Sequence, residues 1–172
     1  MPLEYGFFFD QAKCIQCHGC ELACKTWRNL EVGIRWREVK IIWVGDYPAV
    51  KNLSLSLACI HCHDPQCINV CPEAAISKRP EDGIVVVDPE LCTGCQACLA
   101  VCPIDAPQYG SDGKMQKCDM CHRQVDLKTH VPPCVASCPT GALGIGPMTE
   151  GAKKASLNAC IALMMKEIYG TL

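Results

Sequence analysis

The chain has 172 residues, a formal net charge of -2 and 17 cysteines. No apolar run approaches the roughly 18 residues that cross a bilayer, and the charge balance speaks against a nucleic-acid partner. Cysteine at about a tenth of the chain marks a fold in which covalent or inorganic staples replace part of a hydrophobic core.

Disulfides account poorly for these cysteines, because their number is odd and a disulfide framework pairs them. The opening Met1-Pro2-Leu3-Glu4 has no basic stretch, apolar stretch or twin arginine leading to an oxidising compartment. The protein is therefore expected in the cytoplasm, unless a signal-bearing partner carries it out.

In chain order, the first recognisable element is Cys14, Cys17, Cys20 and Cys24, spaced C-x-x-C-x-x-C-x-x-x-C. This is the bacterial ferredoxin run, in which three close thiolates hold one iron–sulfur cubane and the distant cysteine reaches another. Two residues between ligands let a tight loop wrap the cubane with its backbone N–H groups turned toward the sulfurs. A short helix is expected around residues 18–26.

Residues 25–58 form the largest insertion between quartets and carry Trp27, Trp36 and Trp43. The run from Trp36 to Val44 alternates well enough for a strand, Gly45-Asp46-Tyr47-Pro48 is turn chemistry, and Leu53 to Leu57 alternates strictly. A hairpin follows, expected to cover a cluster from water more than to bind a partner, with the tryptophans as packing more than as an electron path.

The second quartet is Cys59, Cys62, Cys67 and Cys71, with a short helix expected around 65–70. The β-branched run Ile84-Val85-Val86-Val87, bounded by Asp82-Gly83 and Asp88-Pro89, reads as a strand. The third quartet, Cys92, Cys95, Cys98 and Cys102, repeats the ferredoxin spacing, with a helix expected around 94–101. The fourth is Cys118, Cys121, Cys134 and Cys138, followed by an extended Leu143-Gly144-Ile145. Proline after the last cysteine in Cys71-Pro72, Cys102-Pro103 and Cys138-Pro139 stops the local helix, whereas Cys24 is followed by Lys25. Cys71-Pro72-Glu73-Ala74-Ala75-Ile76 parallels Cys138-Pro139-Thr140-Gly141-Ala142-Leu143, which suggests a small β/α unit built twice.

Ala152 to Tyr169 has no glycine or proline and has helix composition. Ala155, Cys160, Leu163, Met164 and Ile168 approximate an apolar face, on which Cys160 is expected as a small buried residue outside any quartet. Lys13, Lys25, Lys78, Arg79 and Lys117 near the quartets read as solvated surface charge, with an influence on local potential or partner steering as the other reading.

Two rival chemistries share these spacings. Cys14-Ile-Gln-Cys17-His18, Cys59-Ile-His-Cys62-His63 and Cys118-Asp-Met-Cys121-His122 match the c-type haem attachment motif C-x-x-C-H. That reading leaves six quartet cysteines without a role and fails at the third quartet, where Gln96 stands in the histidine's place. Zinc knuckles need no third cysteine three residues on, and zinc stays open mainly for the fourth quartet, where twelve residues separate Cys121 from Cys134.

The order of four quartets, Tyr5-Gly6-Phe7-Phe8-Phe9-Asp10 before Cys14, Asp82 to Asp88 before Cys92, and Ala106-Pro107-Gln108-Tyr109 after Cys102 resemble the four-cluster electron-transfer subunits of molybdenum and tungsten enzymes, of the dimethyl-sulfoxide-reductase beta-subunit type. The resemblance covers roughly residues 3–148. It implies four 4Fe-4S clusters on the sixteen quartet cysteines, and a nested ligand exchange. Cys14, Cys17, Cys20 and Cys138 would hold one cluster; Cys59, Cys62, Cys67 and Cys102 a second; Cys92, Cys95, Cys98 and Cys71 a third; Cys118, Cys121, Cys134 and Cys24 a fourth. The clusters would form a file, the first quartet's cluster facing the catalytic subunit.

The fold class so implied is α+β, with two bacterial-ferredoxin-like dicluster lobes, short strands and helices, a β-hairpin insertion and a C-terminal helix. Residues 1–52 and 112–149 would form an outer lobe that includes the hairpin at about 34–58, residues 53–111 an inner lobe, and residues 150–172 the helix. The implied partner is a large molybdopterin subunit containing molybdenum or tungsten, with a further subunit or soluble carrier as electron donor or acceptor. Many relatives of that type are longer, with an extension or membrane helix for an anchor, whereas this chain ends soon after one helix. It is also similar to small polyferredoxin subunits of tungsten aldehyde oxidoreductases and benzoyl-CoA reductases. The protein is expected to do no bond chemistry of its own, and no Rossmann glycine signature is present for a nicotinamide or flavin. The alternative is a stand-alone polyferredoxin that diffuses between redox enzymes.

Overall fold

Short apolar runs interrupted by cysteine loops allow only small sheets, and the computed structural model, which describes residues 4–169, contains four antiparallel pairs of strands. The side chains of residue 157 and residues 163–169 lie outside what it describes, as does the Met1-Pro2-Leu3 opening. The elements in order are β1 (Glu4–Phe9), α1 (Gly19–Trp27), β2 (Arg37–Val44), β3 (Lys51–Ala58), α2 (Gln66–Asn69), β4 (Ile76–Lys78), β5 (Val85–Val87), α3 (Ala97–Ala100), β6 (Gln108–Tyr109), β7 (Met115–Gln116), α4 (Pro133–Ala136), β8 (Leu143–Met148) and α5 (Glu150–Tyr169). The mixed α+β class is as the sequence reading has it.

The hairpin is β2 paired with β3, in a register that sets Arg37 opposite Ala58 and Val44 opposite Lys51. Gly45 takes the backbone into its turn at a φ of 85°, where a side chain would also strike the Ala49 carbonyl. Toward the far end of β3, Ser54, Leu55, Ser56, Leu57 and Ala58 are all buried, while Trp43 and Tyr47 near the turn stand exposed. β1 pairs with β8, joining the two ends of the cysteine-bearing region with Phe9 opposite Leu143.

The three expected cysteine-loop helices form one to three residues shorter or later than the sequence suggests. The span expected at 94–101 contracts to Ala97–Ala100, because Gly94 and Gln96 hold φ of 72° and 64° in the preceding loop. α4 has no counterpart in the sequence reading. It begins on Pro133 at its first position, where the missing N–H would have been unpaired in any case.

Among the described residues the core is divided into small groups. Leu55, Leu57, Ile60, Ile104 and Cys160 form one buried group, Ile76, Val85, Cys98 and Met115 another, and Cys24, Cys134 and Leu143 a third. Cys160 is the buried small residue expected of it. Ala155, by contrast, is exposed, and among the described side chains of the helix Lys153 and Cys160, seven residues apart, are buried. Leu163, Met164 and Ile168 lie outside the described side chains.

Candidate cluster sites

In the first C-x-x-C loop of each quartet the second intervening residue is left-handed: Gln16 at φ 58°, His61 at 52°, Gly94 at 72° and Met120 at 54°. Non-glycine residues are held there at a cost, on the order of 1 kcal/mol or more each. The reward is a tight turn of the kind that builds an anion-cradling backbone nest. Amides reach sulfur directly: Met115 N–H donates to Cys92 Sγ at 3.3 Å, Ala106 N–H to Cys102 Sγ at 3.3 Å, and Met120 N–H to Cys118 Sγ at 3.5 Å.

The last two cysteines of every quartet straddle a helical turn: Cys20 and Cys24 on α1, Cys67 and Cys71 about α2, Cys98 and Cys102 about α3, Cys134 and Cys138 about α4. Four residues advance a helix by about 6 Å and stay on one face. That separation allows one thiol of a pair to face its own loop while the next reaches a neighbouring site.

The cavities follow this rule. One is lined by Cys14, Cys17, Cys20 and Cys138, with Val39 and Ser56 of the hairpin forming its cover. A second is lined by Cys59, Cys62, Cys67 and Cys102, and a third by Cys71, Cys92, Cys95 and Cys98. Cys24, Cys118, Cys121 and Cys134 are all buried and mutually close, since ionising Cys118, Cys134 or Cys121 would raise Cys24 further.

Electrostatics bind these sets together. Burial pushes Cys67 up to about 11 and Cys118 up to about 12, and lifts Cys24 further still. As bare thiols they stay protonated at neutral pH, so ionisation needs a cationic centre to receive the thiolates. Burial also pushes Cys138 up, but N–H groups of Leu143 and Ala142 and the Thr140 amide and hydroxyl bring it below its ordinary value. Tyr109 Oη lies 3.1 Å from Cys98 Sγ, and burial together with that contact pushes the phenol up.

The sets adjoin in one order. Cys20 of the first feels Cys134 of the buried set, and Cys118 of the buried set feels Cys59 of the next. Met115 lines both the Cys59 cavity and the Cys92 cavity. Cys17 and Cys95, the two exposed cysteines of the sixteen, belong to the two ends of that series.

Sequence reasoning missed two cations. Lys117, expected on the surface, is 4% exposed, lines the Cys59 cavity, and donates from Nζ to the carbonyl oxygens of Val85 and Cys118. Arg37, 2% exposed, donates from Nη1 to Ser56 Oγ at 3.0 Å and lies over the Phe7 ring at 4.2 Å. The alternation of β2 could have flagged it, since Arg37 shares a face with the buried Val39. Of the remaining charges, Lys13 is exposed beside Asp10, Lys25 donates to the Glu31 and Ile34 carbonyls, Lys78 meets Glu4, and Arg79 meets Asp82.

His61 is fully buried, and burial with Lys117 and Lys153 near by pulls its imidazole well below the ordinary value. Its Nδ1 accepts the Val85 N–H at 2.9 Å, so it is a neutral structural acceptor. The histidines of the three haem-like motifs do other work: His18, His63 and His122 face Glu21, Glu4 and Asp119.

Comparison with known proteins agrees with this donor chemistry. A family described as 4Fe-4S dicluster domain matches residues 50–148, and one described as 4Fe-4S binding domain matches residues 11–27. The sequence is 43% identical to the B component of the anaerobic dimethyl sulfoxide reductase of Escherichia coli, over 94% of this protein and 82% of that one. It is 42% identical to a component of a probable anaerobic dimethyl sulfoxide reductase of the same organism, with the same coverage. It is 40% identical to the formate dehydrogenase iron-sulfur subunit of Wolinella succinogenes, over 81% of this protein and 80% of the relative.

Proposed function

The protein belongs to the family of 4Fe-4S dicluster iron–sulfur subunits, and from that premise we propose that it relays single electrons through four clusters in a file, to or from a large molybdopterin-containing catalytic subunit. It is a non-catalytic electron-transfer subunit whose cofactors are 4Fe-4S clusters. When bound, each cluster takes up and releases one electron, and everything else is done by the polypeptide.

Three ligand sets follow the cavities and the fourth follows the cluster of buried thiols. Cys14, Cys17, Cys20 and Cys138 hold the first cluster; Cys24, Cys118, Cys121 and Cys134 the buried one; Cys59, Cys62, Cys67 and Cys102 the next; and Cys71, Cys92, Cys95 and Cys98 the last. The observation that carries the reading is that these four-thiol sets adjoin one another in series and that only the terminal sets hold an exposed cysteine. A conductor needs access at its ends and insulation in its middle. The first two sets make an outer lobe drawn from both ends of the cysteine-bearing region, with the whole β2–β3 hairpin attached to it, the last two make an inner lobe between them, and α5 (Glu150–Tyr169) is a terminal helix. Pairing of β1 with β8 and packing of α1 on α4 support that division.

The protein's own residues hold and tune the sites. Amides of the left-handed loops stabilise sulfur charge, the hairpin excludes water from the first set, and buried Lys117 offsets charge at the Cys59 set. Among the described residues no helix is long and apolar enough to cross a membrane. Native purification with metal analysis tests the reading. The expected result is about 16 irons per polypeptide and a large pterin-bearing partner in the same complex. A monomer with full iron content and no such partner overturns the subunit role in favour of a diffusible carrier.

A further inference from the structure

Among the described residues, Arg37 is a buried cation that leaves more than half of its hydrogen-bonding capacity unused. It opens β2, with Ala58 opposite it in the register. Its Nη1 donates to the Ser56 carbonyl at 3.3 Å and to Ser56 Oγ at 3.0 Å. Nε and Nη2 are buried and have no partner among the described residues. Phe7 covers its face. A buried guanidinium left this way is strongly destabilising, so its surroundings must include a compensating negative charge.

Thiols are the groups that surround it. Burial alone would pull the guanidinium down, but Cys134, Cys118, Cys20 and Cys24 lift it above its ordinary value. Three of those four belong to the buried set and one to the first set. The first set has, in addition, a direct line to the arginine, because Ser56 Oγ lies 3.4 Å from Cys20 Sγ while it accepts from Arg37. With its lone pair engaged by Arg37, the Ser56 hydroxyl is oriented to donate to the Cys20 sulfur.

We infer that Arg37 is an electrostatic positioning residue for the relayed electron, a fixed positive charge between the first two clusters that makes both easier to reduce, the buried one by direct field and the first through Ser56. An electron passing from one cluster to its neighbour adds one negative charge at the receiver and removes one at the donor. A permanent cation in a dry site favours the receiver's reduced form, and net charge and hydrogen bonds to sulfur are what set cluster potentials. This rests on the ligand sets proposed above.

The test is a potentiometric titration of the iron–sulfur signals in the intact complex. Arg37→Met with full iron content should lower two of the four potentials, the larger shift amounting to at least tenfold in the one-electron reduction constant, about 59 mV, and leave the other two in place. Arg37→Lys should recover most of the shift. Four unmoved potentials in a fully loaded Arg37→Met protein overturn the inference, and so does an equal shift of all four. If Arg37→Met does not assemble, Ser56→Ala keeps the arginine and should lower one potential alone; no movement there also overturns it. The ligand sets are tested separately by the reduced-state spectra of single cysteine-to-serine variants, in which Cys24→Ser should match Cys121→Ser, so a wrong ligand set and a wrong role for Arg37 give different results.

Discussion

Two cations are buried beside the cysteine sets, Lys117 and Arg37, and they are held in opposite ways. Lys117, beside the Cys59 set, donates to two main-chain carbonyls, Val85 and Cys118, and so fastens β5 to the fourth quartet's loop as well as supplying charge. Arg37, beside the first and buried sets, donates only to Ser56 among the described residues and leaves Nε and Nη2 open. The contrast separates a cation that holds the fold from one whose main effect is its field. Lys153 makes a third case. It is 1% exposed, and its Nζ meets Glu4 at 3.0 Å and the His61 carbonyl at 2.8 Å, so its charge is locally neutralised.

The largest stability effect should come from Lys117→Met, which strands two buried carbonyls and should lower unfolding free energy by about 3 kcal/mol, read as accelerated bleaching of the cluster absorbance in denaturant. A variant of undiminished stability would erase the distinction from Arg37. Glu4→Gln should cost about 2 kcal/mol at neutral pH by leaving Lys153 without its carboxylate. Burial works against the Glu4 carboxylate, but Lys78 and Lys153 hold it down at about 2. Its contribution is therefore complete above about 4.5 and is lost as pH falls toward 2. The bleaching rates of Glu4→Gln and the parent should converge over that window, and a constant gap would contradict the assignment.

Smaller effects mark the limits of the outer half. Trp36 Nε1 donates to Gln116 Oε1 at 2.9 Å, so Trp36→Phe should cost about 1 kcal/mol in denaturant. Trp43, 67% exposed near the hairpin turn, should change stability by less than about 0.5 kcal/mol when replaced by alanine. Equal losses at the two tryptophans would mean that the turn end of the hairpin packs as its base does.

Local pattern carries the cysteines, the hairpin and the long helix, because each is written in adjacent spacing. The missed elements depend on distant partners. β1 reads as an aromatic run without alternation and becomes a strand only against β8, where Phe9 meets Leu143 from the other end of the cysteine-bearing region. β6 and β7 are two residues each, too short for any period to register. α4 is signalled by Pro132-Pro133 before a C-x-x-x-C spacing, since that spacing is one helical turn in every quartet. The buried lysine at 117 and the arginine at 37 look like ordinary surface charge until the thiols that surround them are assembled in space.

The exchange of cysteines between quartets is tested most directly by comparing single serine variants through the paramagnetic spectra of the reduced protein. Cys24→Ser should lose or convert the same spectral component as Cys121→Ser, while Cys138→Ser should match Cys14→Ser. If Cys24→Ser instead matches Cys14→Ser, each quartet holds its own cluster and the interlocked file is wrong.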